Sequence, residues 1–180
     1  MKRLLLLVSI IAHSALFGYS YDELLIKAQT TLFPKIMLLD RKLDNKLVDG
    51  KILYLIAYEE SDDISAAGVR DLLVSTYSGM IEGHPVEFRT IPYDCIDDDT
   101  QATAIYALRS REHQIGKVAA IARAKGIITF AYEIAYLRQG LLFSLMVEKS
   151  TVLYLSRKNI QKYDVDFVDV LYQIVRFIDE

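Results

Sequence analysis

Three residue types that carry much protein chemistry are scarce in this sequence. It contains a single cysteine, Cys95, three histidines and no tryptophan. One cysteine excludes a disulfide within the chain, so the hydrophobic core must hold the fold unaided. We interpret Cys95 as a small buried residue or a loop residue. The alternative is a bridge between molecules or a reactive thiol.

The histidines and glycines do not form any familiar site. His84 lies between Gly83 and Pro85, and His113 lies far from it in the sequence, without the spacing of a zinc site. We interpret both as solvated surface residues. Dinucleotide-binding, phosphate-loop and serine-hydrolase glycine motifs are also missing. We therefore expect no catalytic residues, no metal and no cofactor, and an enzyme is the least favoured class.

Basic runs are missing as well. The formal net charge is −3, and it becomes −5 when the N-terminal Lys2 and Arg3 are removed. Nucleic-acid-binding domains usually carry clustered positive charge, so nucleic acid is not an expected partner. The acidic run Asp97–Asp99 lacks the alternating spacing of a calcium loop, and we interpret it as a solvated connector.

The N-terminus has the pattern of a secretory leader. A basic start is followed by an apolar run, Leu4–Phe17, and by small residues that suit a signal-peptidase site. We predict that residues 1–20 are a signal peptide cleaved after Ser20, and that residues 21–180 form one domain in the periplasm, without direct membrane insertion. An uncleaved anchor is the alternative, but the run spans only about 21 Å of helix, against a bilayer core of about 30 Å.

Hydrophobic periodicity predicts an alternation of strands and helices after the leader. Apolar runs predict strands at 51–58, 86–91 (as an edge strand), 103–108 and 127–132, and a hairpin of 141–147 with 151–156. Helical spacing predicts helices at 22–39, 63–81, 111–125 and 133–138, and a last helix with Phe167, Val168, Leu171, Ile174, Val175 and Ile178 on one face.

Several residues predict where these helices begin, bend or end. Pro34 lacks an N–H group, so we expect a kink or a break in the first helix. The second helix is predicted to begin at Ser61 or Asp62 and to be stopped by Gly83. Ser110 is the predicted N-cap of the helix that ends at Lys125.

The order of elements predicts the fold class. Strands that alternate with helices through right-handed crossovers form a largely parallel sheet with helices on its faces. The late hairpin adds an antiparallel section. The sequence therefore predicts an α/β protein, namely a Rossmann-like three-layer sandwich whose mostly parallel sheet has an antiparallel C-terminal hairpin.

Polar and aromatic side chains follow several predicted strands, at the edge where open α/β sheets bind ligands. They are Tyr58, Glu59, Glu60, Tyr93, Arg109, Tyr132 and Glu133. One hypothesis is that they line a crevice for a small ligand. The other is that they are loop residues, with acidic side chains favoured near a helix N-terminus. Tyr132 and Tyr136 could likewise anchor a partner or pack in the core.

Three segments resemble the YfiR-like family of exported bacterial proteins. The opening helix YDELLIKAQTTLFPKIM leads into the strand KILYLIAY, and EGHPVEFRTI places Gly83, Pro85 and Val86 where the family has Gly-x-Pro-Val. The segment IITFAYEIAYLRQGLLFSLMVEKSTVLYLS resembles the family's late strand, short helix, glycine and hairpin, and its Gly140 matches a family glycine. The resemblance covers residues 21–178.

The sequence also departs from the family pattern. Gln139 replaces a usual glycine, Ser156 stands where asparagine is expected, the loop Lys162–Asp164 lacks the customary Ala-Gly, and the family's paired cysteines are missing. The founding member of the family represses a membrane-anchored diguanylate cyclase from the periplasm. The resemblance therefore implies a non-enzymatic regulator, often dimeric, whose partner is the periplasmic part of an inner-membrane signalling protein that controls cyclic-di-GMP and biofilm formation. The alternative function is a periplasmic small-molecule-binding module.

Overall fold

The computed structural model describes residues 21–179, so the predicted signal peptide lies outside the described residues. One eight-stranded sheet crosses the molecule. Its strands are β1 (Ile52–Tyr58), β2 (Met80–Ile81), β3 (His84–Pro92), β4 (Ala104–Ala107), β5 (Ile128–Ala131), β6 (Phe143–Val147), β7 (Thr151–Ser156) and β8 (Arg176–Ile178). The helices are α1 (Glu23–Met37), α2 (Asp63–Tyr77), α3 (Glu112–Lys125), α4 (Arg157–Ile160) and α5 (Asp169–Ile174).

The sheet has the order β2-β3-β1-β4-β5-β6-β7-β8. Its pairs are parallel except for β2 with β3 and β6 with β7. The connections β1–α2–β3 and β4–α3–β5 run in opposite directions across the sheet, so right-handed crossovers place α2 and α3 on opposite faces. The predicted Rossmann-like three-layer sandwich, mostly parallel with a C-terminal antiparallel hairpin, is confirmed.

Aromatic side chains form the centre of the core on the α1 face of the sheet. Phe33 of α1 packs against Tyr106 and Phe130, with ring centres 5.4 and 4.7 Å apart. Tyr54 of β1 packs on the same face, 6.1 Å from Phe130. The apolar run of β1 is buried from Ile52 to Ala57, as its sequence predicts for a central strand.

The helix ends differ from the prediction at three places. α1 continues through Pro34 to Met37, so the predicted break does not occur, and Phe33 and Met37 are fully buried in the core on either side of the proline. α2 ends at Tyr77 rather than at Gly83, since Ser78 adopts a left-handed conformation (φ 50°) and the chain then forms β2. The N-cap of α3 is Arg111, not Ser110.

The predicted C-terminal helix is wrong. The chain forms only the six-residue α5 there, and residues 176–178 continue as β8, parallel to β7. The apolar residues fit helical spacing, but β7 leaves an unpaired edge that the β-branched and aromatic end of the chain covers. Acidic residues just before α5 pair with the connector after α1: Asp164 contacts Lys42, and Asp166 contacts Arg41.

The remaining elements follow the prediction closely. The short helix predicted at 133–138 is a 3₁₀ helix, Ile134–Gln139, that ends at Gly140. β3 is bordered on its outer side by the two-residue β2 alone, close to the predicted edge position. Among residues 21–179, no helix combines the length and the apolar character needed to cross a bilayer.

Candidate functional site

The carboxyl ends of β1 and β4 form the point at which the topology reverses. β1 continues through α2 towards one edge of the sheet, and β4 continues through α3 towards the other. The loops that follow these adjacent strands therefore diverge, and this is the place where open α/β sheets bind ligands. We call this place the switch-point crevice; it lies between the loop residues Glu59–Asp62 and Leu108–Arg111.

Tyr21 reaches into the switch-point crevice and joins both of its sides. Its hydroxyl donates a hydrogen bond to Oδ2 of Asp62, at 2.7 Å, and accepts one from the backbone N–H of Arg109, at 3.2 Å. Burial, followed by the contact with Asp62, raises the pKa of Tyr21. The hydroxyl therefore stays protonated and acts as a donor to the carboxylate.

Arg109 brings three of the sequence-predicted residues together. Its Nε lies 2.7 Å from Oε1 of Glu133, and its guanidinium carbon lies 5.1 Å from the ring centre of Tyr132. The Tyr132 hydroxyl in turn accepts the N–H of Asp22 at 2.9 Å. These side chains border a cleft of about 320 Å³ that is completed by Leu25, Ile134, Ala135 and Met146.

Glu59 belongs to a second polar contact beside the crevice. It accepts hydrogen bonds from the hydroxyl of Ser110 and from Arg111, whose Nη2 is 3.3 Å from Oε2. Burial by itself would raise the pKa of Glu59, but the hydrogen bonds from Ser110 and Arg111 together outweigh it, so the pKa lies below its ordinary value. Ser110 was predicted as the N-cap of α3, but its hydroxyl donates a hydrogen bond to Glu59 instead.

The other predicted residues do not line one common crevice. Tyr93 is 1% exposed, and its hydroxyl donates a hydrogen bond to the carbonyl oxygen of Leu108 at 2.7 Å. It therefore stabilises the loop after β4 from within the core. Tyr58 is half-buried at the end of β1, and Glu60 is exposed. Tyr136 is buried, and its hydroxyl bonds both backbone groups of Ser110.

A second cleft lies between the first turns of α1 and α2. It has a volume of about 470 Å³ and is lined by Tyr21, Glu23, Ile26, Ser65, Gly68 and Val69. Leu24 follows Glu23 in α1 and Ile64 precedes Ser65 in α2, and these two residues are 63% and 83% exposed. We call this cleft with its two exposed side chains the α1–α2 groove.

The residues that the sequence analysis treated as unreactive lie apart from these clefts. Cys95 is exposed in a 3₁₀ turn, and His113 is exposed on α3. His84 is half-buried, with Nε2 3.7 Å from Oδ1 of Asp44. The Asp97 carboxylate closes its own loop by accepting the N–H of Asp99. Within residues 21–179, no group of three or more His, Cys, Asp or Glu side chains is arranged to hold a metal ion.

Sequence reasoning missed Tyr21 as a member of the site. Tyr21 precedes the first predicted helix, and its two hydrogen-bond partners lie 41 and 88 positions further along the chain. No local pattern marks such contacts. The only available signal was that Asp62 follows a central strand, where the switch point of this topology was expected.

The fold defines a class, an α/β protein with a Rossmann-like sandwich, and solved structures share it. A conserved domain protein from Vibrio cholerae O1 biovar El Tor aligns with a TM-score of 0.57 over 86% of this chain, at 11% identity. The ABC domain of a Streptococcus pneumoniae protein, solved in complex with L-Trp, aligns with a TM-score of 0.51 over 80% of this chain, also at 11% identity.

This chain spans 60% and 62% of the lengths of those two proteins. At such low identity, the likeness shows the fold alone. No protein-family model matches the chain, and no curated protein sequence matches it.

Proposed function

We propose that this chain is a periplasmic regulatory binding protein that represses a membrane-anchored diguanylate cyclase by contacting the periplasmic part of that enzyme. The proposal extends the resemblance to the YfiR-like family that the sequence segments carry. It makes the protein a non-enzymatic regulator whose activity depends on a binding surface. The resemblance further implies that this regulator forms a homodimer.

The observation that carries the proposal is the α1–α2 groove. Leu24 and Ile64 directly adjoin the lining residues Glu23 and Ser65 in the chain, and they expose 63% and 83% of their surface. Exposed apolar surface is typical of interaction sites. Protein interfaces place apolar side chains at their centre and polar ones at the rim. Ile26 and Val69 provide an apolar floor, and the carboxylate of Glu23 lies at the side of the groove.

Small residues leave the groove open to a partner side chain. A Cβ atom added at Gly68 would meet no other atom within 4 Å, and Ser65 lies one helical turn before it. A partner side chain could therefore approach the backbone of α2 closely. Buried anchors of this kind account for most of the binding energy in protein interfaces.

A pair of matched substitutions on α2 tests this surface. Ile64→Asp places a charge at the groove, and Val74→Asp places the same charge on an exposed residue (48%) near the other end of α2. We expect Ile64→Asp to weaken binding to the periplasmic part of the cyclase by about tenfold or more, as loss of an interface anchor does. Val74→Asp should bind as the unaltered protein does. Equal affinity of all three proteins would contradict the assignment of the groove.

The regulatory role itself is tested in cells. Deleting the gene should raise cyclic-di-GMP and biofilm formation, because the cyclase would lose its repressor. Reintroducing the unaltered chain should restore both, whereas the Ile64→Asp variant should not. Unchanged cyclic-di-GMP after deletion would contradict the proposal.

The cleft beside Arg109 supports a second candidate function, a periplasmic small-molecule-binding module. It combines an ion pair, the ring of Tyr132 and an apolar wall at the strand ends, where this fold class binds ligands. The pneumococcal neighbour was solved with L-Trp, although its likeness to this chain extends only to the fold. A thermal-shift screen of periplasmic metabolites tests this candidate, since a ligand of the native state raises the melting temperature. A flat response would count against it.

A further inference from the structure

The phenol ring of Tyr21 fills the place where a ligand of this fold would lie. Its hydroxyl bridges the loop after β1, through Asp62, and the loop after β4, through the N–H of Arg109. These are the two loops that diverge at the switch point. A side chain of the protein itself thus makes both contacts that a ligand would make.

The hydrogen-bonding groups of the crevice are matched to a hydroxyl group. A carboxylate can only accept and a backbone N–H can only donate, whereas one hydroxyl does both. Asp62 is 2% exposed, so its carboxylate is held away from bulk water. A hydrogen bond to a charged, desolvated acceptor is stronger than one between neutral groups.

The walls of the crevice are matched to an aromatic ring. The ring of Tyr132 lies edge-on to that of Tyr21, with centres 4.9 Å apart and planes inclined at 76°. The guanidinium carbon of Arg109 lies 5.7 Å from the centre of the Tyr21 ring. Edge-on packing and a cation beside the ring both favour an electron-rich aromatic group.

Tyr21 lies just before the start of α1. The next residue, Asp22, is the N-cap of α1, and its carboxylate accepts the N–H of Leu25 at 2.7 Å. Tyr21 itself is only half-buried, so the crevice opens to solvent at this side. Rotation about the few bonds before Asp22 would withdraw the ring without disturbing the helix.

We propose that the switch-point crevice is a binding site for the ring and hydroxyl of a phenol-type small molecule, and that Tyr21 takes the place of that molecule in this structure. The site goes beyond the partner-binding function and does not depend on it. Tyr21 competes with the external phenol as a tethered group, at an effective concentration on the order of millimolar. A variant without the Tyr21 side chain should therefore bind an external phenol more tightly than the unaltered protein does.

Calorimetric titration with p-cresol, which has the structure of the tyrosine side chain, tests the proposal. We expect p-cresol to bind Tyr21→Ala with one-to-one stoichiometry and about tenfold or more tightly than the unaltered protein, and to raise the melting temperature of the variant. Toluene has the same shape without the hydroxyl and should bind Tyr21→Ala about tenfold more weakly than p-cresol does.

Tyr21→Phe keeps the ring and its packing, so it preserves the test if Tyr21→Ala does not fold. The phenylalanine ring of this variant makes no hydrogen bond to Asp62. We therefore expect p-cresol to displace that ring more readily than it displaces the Tyr21 ring of the unaltered protein. Equal binding of p-cresol and toluene would overturn the proposal, as would equal binding of p-cresol by the unaltered protein and both variants. Failure of the folded variants to bind p-cresol would also overturn it. Tyr21 also lines the α1–α2 groove, so that groove is tested separately with Ile64→Asp, which leaves Tyr21 in place.

Discussion

Gly140 lies where both the backbone and a neighbouring side chain exclude a larger residue. It follows the 3₁₀ helix 134–139 with φ of 114°, and a Cβ atom added there would lie 2.8 Å from Cβ of Ala119. The chain turns beneath α3 at this point before β6 begins, which is why a residue without a side chain is needed here.

We predict that Gly140→Ala destabilises the protein by about 2 kcal/mol or more, since backbone strain and overpacking each cost about 1–3 kcal/mol. Urea denaturation measures the loss. Gly79→Ala is the matched control, because Gly79 also has a positive φ (80°) but no atom lies within 4 Å of an added Cβ. Equal losses for the two variants would show that crowding against Ala119 contributes nothing.

Glu59 makes the stability of the folded protein depend on pH. Its pKa lies below the ordinary value of 4.5 because hydrogen bonds from Ser110 and Arg111 outweigh the effect of burial. A carboxyl group with a lowered pKa stabilises the folded state above its unfolded pKa, and this contribution is lost as the pH falls through the folded pKa. It is therefore present at neutral pH and disappears below pH 4.5.

We predict that the stability of Glu59→Gln falls less steeply than that of the unaltered protein as the pH is lowered from about 5 to about 3. Denaturation midpoints across this range provide the measurement. Glu60→Gln serves as the control, since Glu60 is exposed on the same loop. Parallel pH curves for Glu59→Gln and the unaltered protein would contradict the assignment.

At the scale of elements, α3 contains a glycine that its packing does not require. Gly116 has helical backbone geometry, and an added Cβ would meet no atom within 4 Å. We predict that Gly116→Ala stabilises the protein by about 0.5–1 kcal/mol, because alanine loses less backbone entropy in a helix. Gly126→Ala at the end of α3 should do the opposite, since Gly126 has φ of 68°. Thermal denaturation of both variants shows whether each substitution raises or lowers the melting temperature.

The elements that the sequence predicted well are those whose pattern is local. β1 is a continuous apolar run, and the stripe of α3 that includes Ile115 and Val118 is fully buried. The C-terminal segment was predicted wrongly because its apolar spacing suits a helix, whereas residues 176–178 pair with β7, 22 positions earlier. Only the tertiary structure shows that β7 has an edge to cover.

The same distinction applies to the candidate site. Arg109, Tyr132 and Glu133 were predicted from their places after strands, and the sheet brings them together. Tyr93 follows a strand too, but its side chain turns inwards to Leu108, a choice that depends on packing. Tyr21 follows no strand at all. Position relative to a strand thus predicts the edge of the sheet on which a residue lies, but not the direction of its side chain.

At the scale of the whole molecule, Asp40 connects two distant parts of the chain. Its carboxylate is fully buried, and Oδ1 accepts the N–H groups of Lys42 and Asp166 at 3.1 and 2.8 Å. Oδ2 lies 3.7 Å from Nζ of Lys46, which is itself 7% exposed. The backbones of the two segments also bond directly, Arg41 to Asp166 and Val168 to Leu39. Asp40 therefore fastens the C-terminal segment to the connector that follows α1.

We predict that Asp40→Ala lowers the free energy of unfolding by about 3 kcal/mol, because it leaves the Lys46 ammonium buried without its carboxylate and two N–H groups without an acceptor. Urea denaturation measures this loss. Hydrogen exchange should at the same time accelerate at the amides of Asp166 and Val168, which the fastening protects. Asp44→Ala is the control, since the Asp44 side chain is 85% exposed on the same connector, and it should change stability by less than about 0.5 kcal/mol. If both variants lose the same stability, or if exchange accelerates equally throughout the sheet, then Asp40 does not hold the C-terminal segment in place.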